Sequence, residues 1–214
     1  MAKRIVVLVS GSGTNLQAII DKVKKGDIKN AEICAVISSK EGAYALRRAN
    51  AAGISSYVVE KRNFKSERER DIALMGLIDS LNVDLIVLAG YLSILSEELC
   101  EKYENRIINV HPALIPSFCG DGYYGLKVHE KALEYGVKIT GATVHFVNKD
   151  TDAGPIIMQK AVEVKDGDTA ETLQKRVMEE AEWQIMPKAV SLFCEDRLKV
   201  CGRQVIILEK GDER

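Results

Sequence analysis

Lys3-Arg4-Ile5-Val6-Val7-Leu8-Val9, then Ser10-Gly11-Ser12-Gly13-Thr14-Asn15, then Leu16-Gln17-Ala18-Ile19-Ile20-Asp21-Lys22-Val23, is the stretch whose reading decides the fold. The first part is a short apolar run of strand type. The last part has apolar residues at 16, 19, 20 and 23, which is helix spacing. Strand, glycine loop and helix in that order open an α/β chain. The glycines let the backbone bend sharply and approach a ligand. The free N–H groups and positive end of the helix favour a phosphate. No third glycine falls at Leu16, so this is not the dinucleotide fingerprint; no Gly-Lys-Ser/Thr follows, so it is not a P-loop. The segment suggests one phosphate, as on a mononucleotide or sugar phosphate. A plain turn is the competing reading. Its place in the first strand-to-helix turn favours the ligand.

Outward from there, strand and helix patterns alternate. Strands are expected at 4–9, 32–38, 55–59, 84–89 and 106–110, with helices at 14–25, 42–52, 66–80 and 96–104 between them. This predicts an α/β fold: a single Rossmann-like domain with an open, mostly parallel sheet and helices on both faces. Asp84-Leu85-Ile86-Val87-Leu88-Ala89 is nearly all apolar, as befits a strand covered on both faces. After Pro112 the style changes. Residues 116–125 hold three glycines and read as a loop. A helix at 126–135 follows, then strands at 138–147 and 156–164. A long helix, 169–188, is expected after a cap at Asp168, with Leu173, Val177, Ala181 and Ile185 on one side. A strand pair is expected around Gly202 in 197–208, with frayed charged residues at the end.

At 214 residues the chain is long enough to bury a sizeable core. Hydrophobic residues make up 46% and charged residues 29%, an ordinary globular balance. Thirty basic and thirty-one acidic side chains leave a net charge of −1, which gives no support to a nucleic-acid partner. No apolar stretch reaches membrane-spanning length and no signal peptide is visible, so a cytoplasmic protein without a membrane partner is expected. The five cysteines, 34, 100, 119, 194 and 201, contain no Cys-x-x-Cys pair, which argues against a disulfide framework and against a metal site. Cys119 lies in the glycine-rich loop, where a nucleophilic role is imaginable.

Residues 107–112 read Ile-Ile-Asn-Val-His-Pro, and forty residues on comes Asp152-Ala153-Gly154-Pro155. Alternation along a strand puts Asn109 and His111 on one face. One is an uncharged amide donor; the other titrates near neutrality. Asp152, in a turn-like segment, can be aimed at the histidine. Donor, base and orienting acid suit acyl-type transfer through an oxyanion. The bland reading is a packed histidine and a turn aspartate.

Taken together, Ser10-Gly11-Ser12-Gly13-Thr14-Asn15-Leu16-Gln17, Leu88-Ala89-Gly90-Tyr91, Ile108-Asn109-Val110-His111-Pro112 with Leu114-Ile115-Pro116, and Asp152-Ala153-Gly154-Pro155-Ile156-Ile157 resemble the phosphoribosylglycinamide formyltransferases, over about residues 4 to 200. The resemblance implies a formyltransferase-like fold and transfer of a formyl group from 10-formyltetrahydrofolate, as co-substrate, to the amine of glycinamide ribonucleotide in purine biosynthesis. It implies that Asn109 and a protonated His111 donate to the oxyanion. Asp152 would hold the imidazole, raise its pKa and help a water carry the proton. The ribose phosphate would sit on Gly13, Thr14 and Asn15, with Glu182 accepting from the glycinamide end. The pterin would lie against the main chain of Leu92, Ser93, Ile94 and Leu95, and beside Asn109. No metal is implied, and the partners are small molecules, with the chain a monomer or homodimer. Residues 1–110 would form a mononucleotide-binding half, 111–200 a catalytic and folate-contacting half, and 201–214 a tail. The sequence departs from the family on the folate side: arginines are usual where Glu67 and Ser93 stand, and Arg68 or Arg70 is expected to substitute. His145 reads as a hydrogen-bonded strand residue, with a place in the pocket lining as the alternative, and His129 as a loop anchor. Tyr123 and Tyr124 either cover the substrate or pack on the surface.

Two rivals remain. A formyltetrahydrofolate hydrolase would use water as acceptor, but usually carries an amino-terminal regulatory domain before the first strand. A non-catalytic folate- or nucleotide-binding module would not need a titrating pair beside an amide donor.

Overall fold

The computed structural model describes residues 2–209; the charged end expected to fray, 210–214, lies outside the described residues. The strands are β1 (Lys3–Val9), β2 (Ala31–Ser38), β3 (Ser56–Val58), β4 (Leu85–Leu88), β5 (Ile107–His111), β6 (Ile139–Phe146), β7 (Ile156–Glu163), β8 (Leu198–Cys201) and β9 (Gln204–Ile207). The helices are α1 (Thr14–Lys24), α2 (Tyr44–Ala51), α3 (Glu67–Ser80), α4 (Glu97–Lys102), α5 (Leu126–Tyr135), α6 (Ala170–Val177) and α7 (Trp183–Cys194).

The apolar runs behave as strands buried on both faces. Ile5, Val7 and Val9 share a core with Leu16, Ile19 and Ile20 of α1, Ala45 and Ala49 of α2, and α7. Val6 and Leu8, pointing the other way, pack with Leu74 and Ile78 of α3 and Leu99 of α4. β4 splits likewise: Leu85 and Val87 join the first core, Ile86 and Leu88 the second. Each such side chain contributes about 1.5–3 kcal/mol when removed from water, and period-two alternation fixes both layers from one strand.

All nine strands form one sheet, in the order β3-β2-β1-β4-β5-β6-β7-β9-β8. Pairing is parallel from β3 through β5 and antiparallel for β5/β6, β6/β7 and β8/β9, so the sheet is open and mixed. The order reverses between β1 and β4. In open α/β sheets ligands enter at that switch, outside the carboxyl ends of the strands. The glycine loop after β1 and Gly90 after β4 both lie there.

Three details differ from the sequence pattern. The expected helix 169–188 is longer and interrupted: α6 runs into a π-helical turn, Met178–Glu182, and then into α7, which continues to Cys194. Its cap is Thr169, whose side chain accepts from Thr172 N, and not Asp168. Asp168 instead accepts from Lys165 N and pairs with Arg176. The β8–β9 pair forms as expected, but β9 also adds to the sheet beside β7.

Candidate functional site

β5 ends in the Asn-x-His pair, and β6 runs antiparallel beside it with His145 directly opposite Asn109. His145 Nδ1 is 2.8 Å from the Phe146 carbonyl, which can only accept, so Nδ1 carries the proton and Nε2 accepts. Asn109 Nδ2 donates to that Nε2 at 3.2 Å, and this fixes which way the amide points. His145 is the residue that the sequence reading undervalued. Its signal was the antiparallel register, which the sequence does not display.

Asp152 adopts the left-handed region, φ 53°, in the turn between β6 and β7. Gly154 makes that turn possible: a Cβ there would run into the Phe146 carbonyl oxygen. The carboxylate therefore folds back over β5. Its Oδ2 is 3.3 Å from His111 Nδ1 and accepts from Gly120 N at 3.0 Å. Its Oδ1 lies 3.5 Å from Asn109 Nδ2 and 3.6 Å from His145 Nε2. Loop 116–125 closes the other side, with the Phe118 carbonyl 2.7 Å from His111 Nε2.

Both nitrogens of His111 thus face acceptors, an arrangement that suits an imidazolium. Burial nevertheless dominates. It pushes His111 below the ordinary histidine value, while the Asp152 charge and the Phe118 carbonyl pull upward without prevailing. Asp152 raises the His111 pKa as the sequence reading expects, but the residue is only 4% exposed, and desolvation of the cation outweighs that one carboxylate. Burial also pushes Asp152 up, but the hydrogen bonds and charges around it, His111 and the Gly120 N–H among them, outweigh it and hold the carboxyl below its usual range.

The glycine loop lies across an open pocket of about 490 Å³ shared with Asn109, His111, His145 and Asp152. Gly13, Thr14, Asn15 and Glu182 line one end. Here side chains hold one another: Asn15 Nδ2 donates to Glu182 Oε2 at 2.6 Å, and Thr14 Oγ1 points to Met178 Sδ at 3.8 Å. The two ends of the π-helical turn therefore clamp the start of α1, and the donors left for an anion there are backbone N–H groups. Burial pushes Glu182 above the usual carboxylate range, against the Asn15 hydrogen bond.

Leu92, Ser93, Ile94 and Leu95 line the other end. Ser10, overlooked in the sequence, anchors that segment by accepting from Leu92 N at 2.8 Å. Arg68 is exposed and outside the pocket lining; the arginine that reaches this segment is the buried Arg70, donating to the Ile94 carbonyl at 3.1 Å. Two residues are about half a helical turn, so 70 points to the buried face where 68 points to the surface. Glu67 pairs with Lys61 on the surface. The pocket draws on both sides of residue 110, with Leu92–Leu95 before it and Glu182 after it.

Tyr123 and Tyr124 line the pocket from the loop. Cys119 does not; burial and then the Asp152 charge push its thiol up, away from the nucleophilic thiolate. Asn15 Oδ1, both nitrogens of His129 and Asn148 Oδ1 are buried without a protein partner, and all three residues line this pocket, while the equally unpaired Trp183 Nε1 lies outside it. Unpaired buried polar atoms cost about 1–3 kcal/mol each, so their gathering here marks a site for polar ligands. Among the described residues no cluster has the makings of a metal site, and no helix is long and apolar enough to cross a membrane.

Residues 3–190 match the formyl transferase family model. The chain is 43% identical over 198 residues to the phosphoribosylglycinamide formyltransferase of Haemophilus influenzae, covering 92% of this chain and 90% of that protein. It is 44% identical over 197 residues to the trifunctional purine biosynthetic protein adenosine-3 of Gallus gallus, and spans 19% of that longer protein. The crystal structure of glycinamide ribonucleotide transformylase 1 from Symbiobacterium toebii superposes with a TM-score of 0.91 at 44% identity, covering 97% of this chain and 95% of that one. On sequence and fold together, the chain belongs to the formyl transferase family, on its phosphoribosylglycinamide formyltransferase branch.

Proposed function

We propose that this chain transfers the formyl group of 10-formyltetrahydrofolate to the amine of glycinamide ribonucleotide in purine biosynthesis. The observation that carries this reading is the convergence of Asn109, His111 and Asp152, from two separate segments, in the pocket that also holds the glycine loop. The substrate phosphate lies on the backbone N–H groups at the start of α1. Glu182 and Asn15 hold the sugar or glycinamide polar groups. The pterin lies against Leu92–Leu95, where apolar side chains and main chain meet.

The amine attacks the formyl carbon, and negative charge builds on the formyl oxygen. Asn109, its amide oriented by His145, donates to that oxygen. A neutral His111 beside an ionised Asp152 lacks one proton between Nδ1 and Oδ2. The pair takes up the proton that the amine releases, directly or through water, and the imidazolium so formed also faces the oxyanion. As the intermediate collapses, the bond from carbon to folate N10 breaks and N10 receives the proton. The formyl group is then on the new nitrogen, and His111 is neutral again.

The protein works as one domain on small-molecule substrates, without nucleic acid, membrane or metal. We place it in the cytoplasm as a monomer or homodimer. The test is a formyl-transfer assay with glycinamide ribonucleotide and, separately, with water as sole acceptor. Loss of the formyl group that depends on the ribonucleotide is expected. Equally fast release of formate without it would replace the transferase by a hydrolase.

A further inference from the structure

The glycine loop has no lysine and no arginine of its own, yet its backbone is held from behind by α2. Ala45 N, one of the free donors at the start of that helix, bonds the Gly11 carbonyl at 3.1 Å. Arg48 Nε bonds the next carbonyl, that of Ser12, at 2.8 Å. The guanidinium is itself fixed: its NH1 group reaches Gln17 Oε1 at 3.1 Å, and Cζ sits 5.0 Å over the Tyr44 ring. Gly13, at φ 71°, lies so close that a Cβ would be 2.6 Å from Ala45 Cβ and 3.4 Å from Arg48 Cδ. In a planar trans peptide the C=O of one residue and the N–H of the next point in opposite directions. With the carbonyls of Gly11 and Ser12 both drawn toward α2, the N–H groups of Ser12 and Gly13 face the other way. That side is the pocket, which both residues line. Successive N–H groups turned to one side make an anion-binding nest.

We propose that Arg48 is a positioning residue for the substrate phosphate: by holding the Ser12 carbonyl it aims the loop's N–H groups at the phosphate, and its charge stands behind them. This rests on the ribonucleotide reading given above and names the residue that makes its phosphate site. Arg48 lies outside the pocket lining, so its effect is exerted through the loop and not by direct contact.

The experiment compares glycinamide ribonucleotide with the same molecule lacking the phosphate, in the wild type, Arg48→Met and Arg48→Lys. Arg48→Met is expected to raise KM for the ribonucleotide on the order of tenfold or more, the size of a hydrogen bond to a charged group. kcat should stay within about threefold, because the loop binds a part of the substrate remote from the reacting carbon. KM for formyl folate should not move, and neither should kcat/KM for the dephosphorylated substrate. Arg48→Lys keeps the charge without the planar fork and should lie between. If the preference for the phosphorylated substrate is the same in Arg48→Met and wild type, the proposal is wrong. The same holds if Arg48→Met weakens both acceptors equally, which would make Arg48 merely structural. A wild type with no preference for the phosphate would instead refute the phosphate reading, and this proposal with it.

Discussion

The two ends of the pocket are built differently. At the end proposed for the ribonucleotide, side chains grip one another: buried Asn15 holds buried Glu182, half-buried Thr14 meets Met178, and α2 grips two loop carbonyls. At the end proposed for the folate, Leu92 and Ile94 are 54% and 71% exposed, and the order comes from main chain tied to Ser10 and Arg70. A preformed site loses little entropy on binding and tolerates little change. A surface of exposed apolar side chains and backbone adapts, and single side chains there should matter less. The groups proposed to react lie between the two, Asn109 and His111 on β5 with Asp152 folded over them from the turn between β6 and β7.

The largest effect expected from this contrast is at that centre. His111→Asn removes the proton acceptor and should lower kcat by about 10²-fold or more while ribonucleotide affinity stays. Turnover like the wild type in single-turnover assays would take His111 out of the mechanism. The centre should also show itself in the pH profile. Because His111 is held below 6.5 by burial, its neutral form persists as the pH falls through 6.5, and kcat/KM should decline only at lower pH. Removing the Asp152 charge takes away the main upward pull on the ring. Asp152→Asn should therefore move that decline to still lower pH, on a reduced plateau. A decline that moves upward in pH would reverse the assigned electrostatics.

Next comes the preformed end. Glu182→Gln leaves the shape and removes a buried acceptor charge. KM for the ribonucleotide should rise about tenfold, a cost of about 1.4 kcal/mol, with the folate Kd unchanged. Equal losses for both ligands would mean that the two ends are not separate. The smallest effects belong to the adaptable end. Arg70→Ala withdraws the support of the Ile94 carbonyl and should weaken folate binding by about threefold to tenfold, the worth of one hydrogen bond. Glu67→Arg, on the surface with Lys61, should leave folate affinity unchanged at low salt. A clear gain in affinity would put the folate tail beside α3 after all.

Legibility followed the same contrast. Motifs that are short in sequence and rigid in space were read directly: Ser-Gly-Ser-Gly-Thr-Asn at a strand-to-helix turn, and Asn-x-His at a strand end. Asp152 was read as well, but much else that depends on approach from a distant segment was not. His145 looks like any strand histidine until antiparallel pairing sets it opposite Asn109. Arg68 and Arg70 look interchangeable until α3 buries one and exposes the other. Glu182 was found through the family motif, but the π-helical turn that presents it to Asn15 has no pattern in the periodicity.

The sequence by itself determined the order of strands and helices, the two-faced burial of β4, and the residue types proposed to react, because all three follow from local periodicity and side-chain chemistry. Only the tertiary structure decided the protonation balance of His111, the orientation of the Asn109 amide and the gripping of the glycine loop by Arg48. Each depends on desolvation or hydrogen bonds between residues far apart in the chain, and those energies exist only once the segments are packed together.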